Sequence, residues 1–147
     1  MIRRFPVFLF FAAILFAVFS PEAQGQCKAF ARRICKVDLE RYMHDGNYHA
    51  AILTEGEEAE LYKTFYADQE YRIAICGDDG LPDIQFRVMD IQRNVLYDNS
   101  ENEFRGTWDF RLEASQQLMI WVKVSSPNPG REPASGCVSI LFGLSTR

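Results

Sequence analysis

The chain has 147 residues, 48% hydrophobic and 24% charged, with a net charge of −4. That length and apolar fraction describe one globular domain and exclude a disordered or collagen-like chain. Without its first 25 residues the chain keeps 14 basic against 19 acidic groups, a balance that excludes a phosphate backbone as natural partner.

Residues 1–25 read as an export signal. Arg3 and Arg4 form a basic start, residues 5–19 are apolar and uncharged, and Ala23 and Gly25 are the small residues before a cut after Gly25. The apolar run is shorter than the roughly 20 residues a membrane-spanning helix needs, so no stable membrane span is expected after cleavage. The expected location is extracytoplasmic, secreted or periplasmic. Cys27, Cys35, Cys76 and Cys137 fit that address as two disulfides. No Cys-x-x-Cys pair is present to suggest a metal.

Residues 26–46 are expected to be an N-terminal helical segment, and 47–147 one β-domain. Over 27–43, Cys27, Phe30, Ala31, Ile34, Cys35 and Val37 fall on one helical stripe, and the turn at His44-Asp45-Gly46-Asn47 ends it. Eight strands follow, at about 48–54, 58–66, 70–77, 83–91, 94–98, 105–112, 117–125 and 136–143. Ile73/Ile75, Phe86/Val88, Trp108/Phe110 and Ile120/Val122 alternate as in half-buried antiparallel strands. The expected fold is mainly β, an antiparallel sandwich with one N-terminal helix. The proline-rich stretch 126–133 reads as a long loop between the last two strands.

The segments LTEGEEAEL (53–61), EYRIAIC (70–76), DIQFRVMD (83–90), NVLYDN (94–99), QLMIWVKV (117–124) and GCVSILFG (136–143) resemble the pre-peptidase C-terminal domains. Those are jelly-roll-like sandwiches appended to secreted bacterial enzymes, and the chain looks similar to small secreted proteins of that shape. A jelly roll implies that the third and eighth strands are antiparallel neighbours, which implies a Cys76–Cys137 bridge. The remaining pair is then Cys27–Cys35. Eight helical residues rise about 12 Å, too far for a disulfide, so either the helix starts late or both thiols bridge to the sheet. A Cys27–Cys35 bond with a distorted start is the favoured expectation.

No catalytic constellation is present: His44 and His49 read as turn and strand residues, and no nucleophile or phosphate-loop motif occurs. The expected function is a non-catalytic binding or accessory module, and two features could carry it. Asp78, Asp79, Asp83, Asp98 and Glu101 lie on loops that an up-and-down chain brings to one end, where carboxylates could take Ca²⁺. If the second and seventh strands are neighbours, Tyr62, Tyr66, Met119 and Trp121, with Arg87 nearby, could face outward together and meet a protein, peptide or carbohydrate. The favoured expectation for that face, however, is burial under the helix by Phe30, Ile34 and Val37, since an apolar stripe must be covered somewhere. The alternative function is a structural or adhesive envelope component using this Trp/Tyr face.

Overall fold

The computed structural model describes residues 22–147. The basic start and apolar run of the expected signal therefore lie outside the described residues, whereas Gly25 lies within a helix. That helix, α1 (Glu22–Arg33), is followed by a 3-10 turn over Cys35–Leu39. The strands are β1 (Met43–His44), β2 (His49–Thr54), β3 (Glu58–Phe65), β4 (Glu70–Gly77), β5 (Ile84–Asp90), β6 (Val95–Asp98), β7 (Thr107–Arg111), β8 (Gln116–Val124) and β9 (Ser135–Leu144). The eight expected strands are β2 to β9, and the two-residue β1 is an addition. None of the described helices is long and apolar enough to cross a membrane.

The strands form two antiparallel sheets. The first runs β1-β9-β4-β7 with β2 also on β9, and the second runs β3-β8-β5-β6. Alternation explains the packing. Ile73, Phe142, Phe65, Phe86, Val88, Leu118, Ile120, Val122 and Val124 point between the sheets and are almost fully buried there. The third and eighth expected strands are indeed antiparallel partners, with Cys76 opposite Ser139.

The expected disulfides are nevertheless not those that form. The bonds are Cys27–Cys137 and Cys35–Cys76, with Cα separations of 5.2 and 5.6 Å. The reason is register. Cys137 lies two residues beyond the position opposite Cys76, and diagonal neighbours sit roughly 7–8 Å apart, outside disulfide reach. Cys27, Ala31 and Cys35 are spaced by four on one face, and all three are fully buried. Each helical thiol thus meets a strand thiol beneath it, and a Cys27–Cys35 bond is unnecessary.

The bridges fix which sheet the helix covers. α1 packs on β2 and β9, and the 3-10 turn on β4. Ala31, Cys35, Leu39 and Tyr42 close over Ala74 and Leu141 on the outer face of the first sheet. At Gly143 the turn comes so close that a Cβ would collide with Tyr42. The expected burial of Ile34 and Val37 fails: they are 58% and 74% exposed. The regular helix ends at Arg33, and tightening to a 3-10 turn rotates both away from the sheet.

Candidate functional site

With the helix on the first sheet, the outer face of the second is left uncovered. Its central strand β8 turns Leu118, Ile120, Val122 and Val124 inward, which sends Met119, Trp121 and Lys123 outward. Pairing then sets two rows across the face. One is Glu60, Trp121, Arg87 and Asp98, and the other is Tyr62, Met119, Met89 and Val95.

The first row is tightly organised. The Arg87 guanidinium lies over the Trp121 ring, 5.0 Å from its centroid, and its Nε donates to Asp98 Oδ2 at 2.6 Å. Gln85 Nε2 and the Ser100 hydroxyl also donate to Asp98, at 3.0 and 2.7 Å. Burial opposes ionisation of this carboxyl, but the bonds from Ser100, Gln85 and Arg87 outweigh it and hold the pKa at about 2. Asp98 is therefore a fixed anion that orients Arg87 on the indole.

The second row is apolar. Tyr62 is 51% exposed, and Val95, Leu96 and Ile91 extend the patch onto the β5–β6 hairpin, all exposed. Met119 differs from the expectation: it is buried to 1%. It sits on the central strand between Tyr62 and Met89, and Arg93 reaches from the β5–β6 turn to Glu60, 3.7 Å away on β3. Tyr66 is exposed but lies past the end of β3. The face thus brings together Tyr62, Trp121 and Arg87, with Met119 as its support.

Sequence reasoning missed Asp98 as the partner of Arg87 and missed the apolar hairpin tip. The signal was available, since Arg87 and Asp98 are equidistant from the turn at Gln92-Arg93, the spacing of a cross-strand pair.

The carboxylate loops do meet at one end. Gly56 N–H donates to Val124 O, Ser125 N–H to Asp83 O and Asp78 N–H to Cys137 O. Their carboxylates, however, do not converge. Asp78, Asp79 and Asp83 line one polar cleft, while Asp98 and Glu101 line another beside Arg87 and Tyr97. Among the described residues, no three His, Cys, Asp or Glu side chains are grouped to hold a metal. Instead they cap backbone. Asp78 Oδ2 accepts from Cys137 N–H at 2.6 Å, Glu57 from Thr54 N–H at 2.7 Å, and Glu55 from Ala134 N–H at 2.7 Å.

No protein-family model and no curated protein matches the sequence, so the pre-peptidase resemblance finds no family support. Among solved structures, the fold is similar to that of PliG from Aeromonas hydrophila, a periplasmic lysozyme inhibitor of g-type lysozyme. The TM-score is 0.50 at 16% identity, covering 67% of this chain and 85% of that one. This likeness speaks for the β-sandwich fold. Two disulfides mark an oxidising compartment. The protein is extracytoplasmic.

Among the described residues, no serine, threonine or cysteine side chain is hydrogen-bonded to either histidine. His44 Nε2 meets Asn47 O at 3.1 Å, and His49 packs edge-on against Phe142. Among the described residues every cysteine is disulfide-bonded.

Proposed function

We propose that the chain is a non-catalytic binding module that engages a protein partner through the outer face of its second sheet. The observation that carries this reading is the stacked Trp121–Arg87–Asp98 row beside the exposed Tyr62 and hairpin tip. Trp, Tyr and Arg are the residues that concentrate energy in protein interfaces, because they offer large area and fixed polar groups at little entropic cost. Arg87 is already oriented by Asp98, so little freedom is lost when a partner docks. With the indole face occupied by a guanidinium, stacking of a sugar ring is disfavoured, and a protein is the better fit.

The likeness in fold suggests a class of partner to put to the test. PliG, similar in architecture, inhibits a g-type lysozyme, and a secreted cell-wall hydrolase is the partner class we put forward. That the similar fold belongs to an inhibitor rather than an enzyme favours the non-catalytic reading.

The test is inhibition of peptidoglycan lysis by a g-type lysozyme, with binding followed by calorimetry. Stoichiometric inhibition weakened by Tyr62→Ala and Arg87→Ala is the expected result. Inhibition untouched by both variants would move the interface elsewhere, and no binding would remove this hydrolase class.

A further inference from the structure

A cleft lies on the side of the sandwich, lined by none of Tyr62, Trp121 or Arg87 and sharing only Glu60 with the outer-face rows. β2 and β3 are the edge strands of their sheets on that side, and a cleft of about 330 Å³ opens between them. This volume is at the lower end of the roughly 300–1,000 Å³ of small-molecule sites. The cleft reaches the core, and its floor is aliphatic: Leu53, Leu61, Val122, Val138 and Ile140, with Ala59 at the edge. Small side chains on the facing strands, Ala51 and Ala59, keep it open.

The rim has a different chemistry. Lys28 stands on α1 at the mouth, and His49 faces inward from β2, its ring 5.7 Å from that of Phe142. Burial pushes the His49 pKa down, against the pull of Asp45, so its ring is neutral near pH 7 and offers one N–H. Other charges nearby are already compensated. Lys63 Nζ is 2.8 Å from Asp45 Oδ2, and the Glu60 carboxylate is turned to the outer face, toward Arg93. Lys28 has no ion-pair partner among the described residues. An aliphatic floor under an unbalanced cation is the complement of an amphiphilic anion.

We propose that this cleft binds a free single-chain fatty acid, its alkyl chain against Leu61, Val122 and Ile140 and its carboxylate at Lys28 and the His49 N–H. Burial of the chain supplies the affinity, and Lys28 sets the orientation.

Titration calorimetry with dodecanoate on the oxidised protein tests this. Saturable one-to-one binding is expected, weakened roughly fivefold or more by Lys28→Glu and abolished by Ala59→Phe, which fills the cleft. Lys28 is exposed on a helix, so Lys28→Glu leaves the fold intact and decides the matter should Ala59→Phe not fold. Tyr62→Ala, on the other surface, should leave dodecanoate binding unchanged. Lack of saturable binding, equal affinity for dodecanol, or an unaltered affinity in Lys28→Glu would each overturn the proposal.

Discussion

Arg87 and Trp121 sit opposite each other on β5 and β8, and the guanidinium covers the indole at 5.0 Å. What holds it there is on the far side, the Asp98 carboxylate at 2.6 Å. The Asp98 pKa of about 2 lies below the 3.8 of a free aspartate. As pH falls, the unfolded chain takes up the proton first, so this stabilisation is complete above about pH 4 and is lost toward about pH 2. After allowing for solvent screening it amounts to about 1 kcal/mol. Denaturant melts of wild type and Asp98→Asn over that window should converge at the acid end. A constant gap between them would mean that Asp98 does not titrate as described.

Binding energy at the outer face should concentrate in few residues. Tyr62→Ala or Trp121→Ala is expected to cost about 2 kcal/mol of binding to a protein partner, near thirtyfold in affinity. Chelator should have no influence on that binding. Trp121 is partly buried, so its variant needs a melting curve beside it, whereas Tyr62 is 51% exposed and serves as the cleaner probe.

The disulfides make the helix a stapled cover. Peptide mapping under non-reducing conditions should recover Cys27–Cys137 and Cys35–Cys76. The paired variant Cys35→Ser/Cys76→Ser should lose about 2–4 kcal/mol. It should also raise hydrogen exchange in the Cys35–Leu39 turn before that of β5 and β8, which contact neither bridge. Uniform exchange across both sheets would contradict a separable cover.

The sandwich was legible because alternation at Ile73/Ile75 and Ile120/Val122 repeats at period two, and that pattern survives any register. Helix placement was harder. Both β8 (Leu118–Trp121) and β9 (Val138–Phe142) read as near-continuous apolar runs, the mark of a strand covered on both faces. Only in β9 does the run mean a helix overhead, on Leu141, while Met119 in β8 is buried between its cross-strand partners Tyr62 and Met89. Disulfide partners depended on a two-residue register offset between Cys76 and Cys137, which no alternation encodes. The outward row was visible as residue types, but its Arg87–Asp98 clasp needed the hairpin register.

Glu55 shows how an acidic residue can be structural. Its side chain is 1% exposed, accepts from Ala134 N–H at 2.7 Å and pairs with Arg131. The Ala134 N–H bond outweighs burial and, with Arg131, holds its pKa below the usual range. Glu55→Gln should therefore speed amide exchange at Ala134 and loosen loop 125–134. Since the carboxylate is the stabilised form, the wild-type protection factor at Ala134, taken relative to the intrinsic amide rate at each pH, should also fall as pH drops below the ordinary glutamate range. An Ala134 amide that exchanges at the same rate in both proteins would show that the loop is held by other contacts.

Calcium should leave the protein's stability unchanged. A ligand at 100 times its dissociation constant adds about 2.7 kcal/mol, which is several degrees for a domain of this size. Asp78 and Glu57, by contrast, already accept backbone N–H groups at 2.6 and 2.7 Å, and Asp98 is saturated by Gln85, Arg87 and Ser100. A cation would have to break those capping bonds before gaining its own ligands, and Asp79, Asp83 and Glu101 are divided between two clefts. Thermal unfolding in millimolar calcium and in chelator should therefore give the same midpoint. A rise in calcium would mean that the loops rearrange to bring Asp78, Asp79 and Asp83 around one ion, and the triple alanine variant should then erase it.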